Sequence, residues 1–468
     1  MDYNINSKTS ILNYSKKLEG KSISDLVDHD IEKASSDKGS FGKYVERIFF
    51  KYDNNSDKNP DFPYAKWDNN DSPGLELKTA EVYLLKSNKY SVSNKLNLNS
   101  INYHDIINED FISSYFIKKN RSTLILFYIK ASNHIPFSKR LFDTVGIWDI
   151  PKKDLIVIRK DWEFIKNKVL QGEAHKLSEK DTIYLGAGTA GNSNSMTSQP
   201  NSDEPARVRK LTFKSSYIKA IYEILKNPNN FSTITKESDL KEKTITEIIT
   251  GKLEKFKNKS TEKLGANYSA KQKYERITKK ILGAKDSKHE IEELKKAGVE
   301  IKTVRINNKN QIEQHMSFPA FKFTDIVNED WKSSKIKSMF EDTLLIVFFR
   351  EKVNGHYYLD NFKLWNLRSK DLCELESVYQ KLKKCLLSGE IVDKVTQKVW
   401  NNFPKTKDNH ISHIRPHSSY GYLHPKGKKP GNIYDLPVAD KKTGWTSFTR
   451  HSFWLNKTYI MDIYNNKL

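Results

Sequence analysis

The sequence predicts an α/β protein built from two tandem repeats, each with a mixed sheet flanked by helices. A charged strand, a capped helix start and an apolar strand each occur twice, 220 to 224 residues apart, and these recurrences predict the two-repeat plan. Repeats of roughly 220 residues fall within the usual size of a domain. An Asn-Pro-Asn-Asn turn between Lys226 and Thr235 marks the join, so we expect domains at residues 1–228 and 229–468.

The charged strand is the most informative of the repeated segments. Residues 74–79 (Gly-Leu-Glu-Leu-Lys-Thr) recur as residues 298–303 (Gly-Val-Glu-Ile-Lys-Thr). Successive side chains of an extended strand point to opposite faces, so Glu76 and Lys78 share one face. The strand therefore directs a carboxylate and an ammonium group to the same point.

Each repeat is expected to begin with helices. Ser22 with Asp25, and Thr244 with Glu247, have the spacing of a capping box at a helix N-terminus. A second helix follows and carries an acidic residue in both repeats, Glu46 in the first and Glu275 in the second.

The remaining elements follow the charged strand in the same order. Apolar runs at residues 124–128 and 344–349 predict buried strands. A charged helix at residues 160–170 comes next, and a segment rich in Arg, Lys and aromatic residues ends the repeat. Residues 192–206 are rich in Ser, Asn and Pro without periodicity, which predicts a mobile loop.

Charge indicates the kind of partner. The chain has 80 Lys and Arg residues against 58 Asp and Glu, a formal net charge of +22. An excess of this size favours a polyanionic partner, and nucleic acid is the leading candidate. The alternative is a Lys- and Asn-rich composition inherited from a biased genome.

Cysteine content and hydropathy exclude several classes. Cys373 and Cys385 are too few for a thiolate zinc site or a disulfide framework. No apolar segment reaches the roughly 18 residues of a membrane helix, and the N-terminus lacks the apolar region of a signal peptide. We therefore expect a cytoplasmic protein without a membrane partner.

Three acidic residues could converge around the charged strand of the first repeat. Asp61 lies upstream of Glu76, and Glu46 lies on the preceding helix. Mg²⁺ prefers hard oxygen ligands and keeps several waters, so two carboxylates make a plausible site. Lys78 would then steer the attacking water or stabilise charge on a phosphate. The alternative is a solvated strand face without chemistry.

The ordered motifs resemble a known family. Residues 38–46, with Gly39, Gly42 and Glu46, residues 60–62 (Pro-Asp-Phe) and residues 74–79 resemble the active-site run of MutH, the mismatch-repair endonuclease. The duplication resembles the GATC-specific type II restriction endonucleases of the Sau-three-A kind. This resemblance implies two tandem MutH-like, restriction-endonuclease-like domains in a bacterial enzyme that cleaves double-stranded DNA with Mg²⁺.

The resemblance also implies roles for individual residues. Asp61 and Glu76 would bind Mg²⁺, Lys78 would act on the attacking water, and Glu46 would complete the acidic cluster. Lys118 falls where the family has a further active-site lysine, and the neighbouring Lys119 leaves the register open. The spacer before Glu76 is longer than in MutH, so two further aspartates are alternative ligands, Asp68 and Asp71.

The second repeat departs from this pattern. Glu293 stands where the catalytic aspartate is expected, and Ser338 stands at the Lys118 position. Glu300 and Lys302 are kept. These losses favour a catalytically silent copy that binds a second DNA site.

The resemblance extends to a DNA-reading loop. Residues 413–419 resemble the Ile-Arg-Pro loop of MutH, and Arg415 suits bidentate contact with guanine, although a phosphate contact is an alternative. Trp454 would face an adenine or lie in the core. His410, His413 and His417 lack cysteine neighbours, which favours DNA over zinc. The full set expected to bind DNA is Arg121, Arg207, Arg209, Lys214, Arg415, His417, Trp454 and Lys457.

We therefore expect an Mg²⁺-dependent restriction endonuclease whose first repeat cuts and whose second repeat binds another GATC site as an effector. One active site per chain predicts that two chains meet on DNA as a dimer. The alternatives are a non-catalytic tandem DNA-binding protein and a MutH-like mismatch-repair nickase.

Overall fold

A computed structural model describes residues 2–27, 38–52, 59–68, 74–84, 90–92, 94–131, 135–192, 194–264, 272–286, 288–352, 355–418 and 432–468. The helices are α1 (Lys8–Ser15), α2 (Lys38–Ile48), α3 (Tyr103–Ile106), α4 (Tyr115–Asn120), α5 (Lys152–Leu170), α6 (Ser215–Lys226), α7 (Glu237–Glu242), α8 (Ile245–Glu254), α9 (Lys273–Leu282), α10 (Glu292–Ala297), α11 (Phe323–Asn328), α12 (Lys335–Glu341), α13 (Ser369–Ser388) and α14 (Lys457–Tyr464). The strands are β1 (Glu76–Leu84), β2 (Tyr90–Val92), β3 (Leu96–Ser100), β4 (Ser122–Ile129), β5 (Phe142–Asp149), β6 (Leu185–Thr189), β7 (Met196–Gln199), β8 (Ser202–Arg207), β9 (Arg209–Phe213), β10 (Phe231–Ser232), β11 (Glu290–Ile291), β12 (Val299–Ile306), β13 (Met316–Phe321), β14 (Thr343–Glu351), β15 (Tyr357–Trp365), β16 (Val392–Val395), β17 (Val399–Asn401), β18 (Ser412–Pro416), β19 (Ile433–Asp435), β20 (Ser447–Thr449) and β21 (His451–Leu455).

The chain forms two compact units. Unit 1 comprises Met1–Ile248 and Lys288–Gly298, and unit 2 comprises Ile249–Ser287 and Val299–Leu468. Residues 288–298 belong to unit 1 because α10 packs on α6. The division at residues 228 and 229 stays a prediction.

Unit 1 is organised around two sheets. The first has the strand order β2-β1-β4-β5, in which the charged strand β1 runs parallel to the apolar strand β4. The second sheet has the order β3-β9-β6 and is antiparallel. Alternate residues of β1 and nearly all of β4 are buried, which explains why β4 reads as a continuous apolar run.

Unit 2 repeats this arrangement. Its charged strand β12 runs parallel to the apolar strand β14, which pairs with β15, and a second sheet has the order β13-β21-β18. The match of strand order and direction confirms the predicted α/β fold with two similar halves.

A buried hydrogen-bonded network is also duplicated. In unit 1 the Tyr217 hydroxyl donates to Asp154 Oδ2 over 2.8 Å, on the helix that follows the first sheet. In unit 2 the Tyr459 hydroxyl donates to Asp371 Oδ2 over 2.8 Å at the corresponding place. A buried carboxylate needs such donors, so the network fixes α5 against α6 in unit 1 and α13 against α14 in unit 2.

One predicted irregular segment is ordered. Residues 192–206 were expected to form a mobile loop, and this expectation was wrong, because β7 and β8 pair there as an antiparallel hairpin. The two expected capping boxes are present: Ser22 N–H donates to Asp25 Oδ2, and Thr244 N–H donates to Glu247 Oε2, each over 2.7 Å. Within the described residues, no helix has the length and apolar character needed to cross a membrane.

Candidate active site

Backbone pairing brings Asp61 to the charged strand. Phe62 and Leu75 form an antiparallel bridge, with Phe62 N–H donating to Leu75 O over 3.0 Å and the reverse bond at 3.1 Å. Asp61 Oδ2 then accepts a hydrogen bond from Leu77 N–H over 2.7 Å. Gly74 makes the turn before the strand with a φ of +118°, a backbone conformation that favours glycine.

Glu76 is the most buried acid of the site, with 1% of its surface exposed. Its Oε1 accepts a hydrogen bond from Lys78 Nζ. Its Oε2 is buried and has no hydrogen-bond partner among the described residues. Burial raises the pKa of Glu76, and the Lys78 ammonium group opposes that rise. A buried oxygen without a donor is costly unless a ligand satisfies it.

The second lysine beside this acid is Lys119. Its Nζ lies 3.8 Å from Glu76 Oε1 and donates to Asn59 O over 3.3 Å. Lys118 is exposed on α4, so the structure corrects the position expected for the further active-site lysine. The sequence contained a signal for Lys119. A helix places residues three apart on one side, and the apolar Phe116, which is buried, lies three residues before Lys119.

Glu46 completes the acidic group from α2. This helix packs on the charged strand, where a Cβ on Gly42 would lie 3.7 Å from Thr79 Oγ1. Burial, followed by the nearby Asp61 carboxylate, raises the pKa of Glu46 to about 7. The structure thus brings together Glu46, Asp61, Glu76, Lys78 and Lys119.

This cluster suits a hard cation. Within the described residues, no group of three or more His, Cys, Asp and Glu side chains is arranged to hold a metal ion. Mg²⁺ does not need three, since it is commonly held by one or two carboxylates, waters and a substrate phosphate. Glu76 Oε2 and Asp61 are the candidate ligands. Asp68 is exposed, and Asp71 lies outside the described residues.

Among the described residues of unit 2, no buried acid stands at the place of Glu76. Lys302 Nζ lies 2.7 Å from Glu300 Oε1, but 43% of the Glu300 side chain is exposed. Glu275 is 45% exposed and pairs with Lys279 on its own helix. Ser338 is exposed on α12, as Lys118 is on α4.

Glu293 does not replace the missing aspartate. Its buried carboxylate accepts hydrogen bonds from Ile234 N–H and Thr235 N–H, both over 3.0 Å, and belongs to unit 1. The structure therefore corrects the proposed equivalence with Asp61, because both Glu293 oxygens are used to hold the backbone at residues 234 and 235.

A candidate DNA-facing groove lies on unit 2. Arg415 is exposed on β18, and its guanidinium carbon lies 4.9 Å from the centre of the Trp454 ring. His417 Nδ1 lies 3.1 Å from Phe318 O and 3.0 Å from Ser452 Oγ. Lys457 is exposed at the start of α14, where its N–H donates to His315 Nδ1 over 3.1 Å.

The three histidines of this region have separate protein partners. His410 Nε2 lies 2.9 Å from Asp462 Oδ2, and His413 Nδ1 lies 2.6 Å from Asn456 Oδ1. Burial lowers the pKa of His413 to about 4, so this ring is neutral near pH 7.

Unit 1 differs at the matching positions. Since Leu185 pairs with Phe213 as Ser412 pairs with Leu455, Gly188 corresponds to Arg415. A Cβ at Gly188 would lie 2.8 Å from Thr212 Cγ2 as well as 2.6 Å from Lys95 Nζ, so a side chain here would require its neighbours to shift.

One expected DNA contact in unit 1 is structural instead. Arg209 is buried and donates to Ala187 O over 2.6 Å and to Leu177 O, so the prediction that it contacts DNA was wrong. Lys214 is half-buried and donates to Thr182 O, and burial lowers its pKa. Its contact with DNA stays a prediction. Arg121 and Arg207 are half-buried, and Arg121 Nη1 donates to Ile150 O over 2.5 Å, so their contact with DNA stays a prediction.

Comparison with known proteins agrees with this geometry. Residues 50–161 and 282–377 both match the family model of the DNA mismatch repair enzyme MutH. Each matched segment contains one parallel pair of a charged and an apolar strand. Each half of the chain thus contains a MutH-like domain.

A relative that matches the whole chain defines the family more narrowly. The chain is 31% identical to the type II restriction enzyme Sau3AI of Staphylococcus aureus over 492 aligned positions, which cover 97% of each protein. The chain therefore belongs to the MutH-like type II restriction endonucleases and is a site-specific deoxyribonuclease.

Proposed function

We propose that this enzyme cleaves double-stranded DNA at GATC with Mg²⁺, that unit 1 cuts, and that unit 2 binds a second site as an allosteric effector. The observation that carries the division of roles is the contrast between Glu76 and Glu300. Glu76 is buried with one oxygen free of hydrogen bonds among the described residues, whereas the Glu300 side chain is 43% exposed.

The residues of unit 1 support hydrolysis of a phosphodiester. Asp61 and Glu76 would hold the cation, which would supply Lewis-acid activation when bound. Lys78 lies beside Glu76 and orients the attacking water, and its charge stabilises the phosphorane. Lys119 brings a second ammonium group near the same oxygen of Glu76. These charge interactions are stronger at a buried site than in bulk water, because the effective dielectric constant is lower.

The residues of unit 2 support binding without cleavage. Arg415 is exposed and stacked on Trp454, an arrangement that orders a guanidinium for bidentate contact with guanine. The corresponding place in unit 1 is Gly188, so the two units present different surfaces. Among the described residues of unit 2, Glu300 has no buried acid beside it comparable to the Glu46 and Asp61 of unit 1, so DNA binding without cleavage is suited to an effector role.

Cleavage of defined plasmids tests this function. We expect linear product only from plasmids that contain GATC, only with Mg²⁺, and with ends that sequencing maps to that site. A nicked circle as the end product would favour a mismatch-repair nickase instead. Binding without cleavage in Mg²⁺ would contradict the catalytic assignment of unit 1.

A further inference from the structure

Unit 2 carries a hairpin that unit 1 lacks. Strands β16 and β17 pair between α13 and β18, with Lys394 opposite Trp400. In unit 1 the connection between α5 and β6, all of it described, contains only the 3-10 turns Ala174–Lys176 and Glu179–Asp181. The hairpin is therefore an addition to the shared fold.

The base of this hairpin is firmly held. Asp440 Oδ1 accepts hydrogen bonds from Ile391 N–H over 2.9 Å and from Val392 N–H over 2.8 Å. Asn402 N–H donates to Ile391 O over 2.9 Å on the other side. A two-stranded hairpin is only marginally stable by itself, so these bonds give it a fixed direction.

The second strand of the hairpin, β17, presents an aromatic ring that the core does not require. Trp400 is 47% exposed, and the Lys394 ammonium group lies 5.3 Å from the centre of its ring. Exposing a large apolar side chain costs free energy, and the cross-strand cation restricts the orientation of the ring. Trp is enriched at binding interfaces, so an exposed ring held in one orientation suits a binding surface.

Trp400 shares an open groove of about 380 Å³ with the DNA-facing residues of unit 2. Lys405, His315 and Arg415 also line this groove. None of the residues that line it, all of them in the described part of the chain, is acidic. An aromatic ring among cations and without carboxylates matches the chemistry of nucleic acid, which offers phosphates and flat bases.

We propose that the β16–β17 hairpin is a second DNA-contact element of unit 2. Trp400 packs on a sugar or base edge next to the bases that Arg415 contacts, and Lys394 and Lys405 contact the flanking phosphates. This inference rests on the proposed function in taking double-stranded DNA as the partner. It adds a contact that lengthens the DNA footprint of unit 2 relative to unit 1.

Binding of a GATC duplex to the full chain with Glu76→Gln, which removes cleavage, tests the hairpin. We expect Trp400→Ala to weaken binding about tenfold, within the range for loss of one aromatic contact with a nucleotide, and Trp400→Phe to retain most of the affinity. Lys394→Ala should lower the slope of log affinity against log salt by about 1, as loss of one phosphate contact does.

Leu387→Ala is the matched control, because Leu387 is 54% exposed on α13 and does not line the groove. Its affinity should equal that of the parent. Photocrosslinking of an iodouracil-containing duplex should label Trp400 directly. Unchanged affinity in Trp400→Ala, together with normal binding by the parent, would overturn the hairpin proposal alone. Failure of the parent to bind GATC duplexes would instead overturn the proposed function.

Discussion

Burial decides which of two adjacent lysines can act at the active site. Lys119 Nζ lies 3.8 Å from Glu76, whereas Lys118 is exposed. We expect Lys119→Ala to slow cleavage about 100-fold, as removal of one charge-stabilising contact does. Lys118→Ala is the matched control and should cut at nearly the parental rate. Single-turnover cleavage measures both, and the opposite ranking would restore Lys118 as the active-site residue.

Substitution of the acids or of the strand lysine should stop cleavage without preventing DNA binding. Asp61→Ala, Glu76→Ala and Lys78→Ala should each abolish cleavage but keep DNA affinity within about tenfold, because phosphate contacts elsewhere dominate affinity. Cleavage assays and gel shifts on the same preparations check this. Full activity in Asp61→Ala would move the ligand role to Asp68 or Asp71.

Two buried histidines make unit 2 sensitive to acid. Burial lowers the pKa of His413 and of His451 to about 4, against about 6.5 in an unfolded chain. The folded state then binds fewer protons, so their stability contribution is complete above about pH 6.5 and is lost as the pH falls towards 4. The loss approaches roughly 3 kcal/mol for each histidine.

Urea unfolding of the full chain at pH 7 and pH 5 measures this loss. In His413→Gln the difference between the two pH values should shrink, because one of the two titrating groups is gone. Equal pH dependence in the variant and the parent would show that His413 is protonated in the folded protein.

At the scale of single elements, β12 keeps the sequence of β1 but not its environment. Glu300→Ala and Lys302→Ala should leave the cleavage rate per site nearly unchanged, because the Glu300 side chain is 43% exposed and lacks a buried acidic partner in the described residues. Strand-specific cleavage of end-labelled duplexes provides the measurement. Loss of cutting on one strand would show instead that each unit cuts its own strand.

The short helix α10 is part of the core of unit 1. Lys296 is 1% exposed, and its Nζ donates to Asp154 Oδ2 over 2.6 Å and to Glu292 Oε1 over 2.5 Å. Removing one partner of a buried ion pair costs about 3–5 kcal/mol. Lys296→Ala in the full chain should therefore lower the free energy of unfolding by this amount.

A neighbouring lysine provides the control for α10. Lys295 is 32% exposed and lies 3.4 Å from Glu223, so Lys295→Ala should change stability by less than about 1 kcal/mol. Because α10 packs on α6 within unit 1, a fragment of residues 1–298 should unfold cooperatively, whereas a fragment of residues 1–228 should not. A stable fragment 1–228 would show that α10 is dispensable.

At the scale of the whole molecule, one catalytic unit must cut two strands, so two chains are expected to meet at a cut site. Binding of a second GATC site by unit 2 holds two chains on the same DNA, which raises the effective concentration of one chain near the other. DNA with two sites should be cut faster than DNA with one, and an added GATC oligonucleotide should stimulate cutting of the one-site plasmid.

Arg415→Ala should reduce that stimulation by about 1–3 kcal/mol, the usual contribution of a base-reading arginine. Slow basal cleavage should persist, since Arg415 lies in unit 2 and the acidic cluster lies in unit 1. Equal rates on one-site and two-site plasmids at low enzyme concentration would exclude the effector role and leave unit 2 as a non-specific DNA clamp.

The sequence by itself determined the features that depend on local order. The repeat, the buried apolar strand that follows the charged strand, and the shared face of Glu76 and Lys78 can all be read from the order of residues along the chain. Local patterns survive folding, because the spacing of side chains along a strand or helix is fixed by backbone geometry.

Only the tertiary structure decided which charged groups face the site and which stabilise the fold. Arg209 and Glu293 look like functional charges in the sequence, yet both are buried against backbone groups. Asp61 joins Glu76 through the bridge at Phe62, and Trp400 joins Arg415 through a hairpin that unit 1 lacks. The physical reason is that burial and hydrogen-bond partners come from residues distant in the chain, and these partners determine whether a charge is available for chemistry.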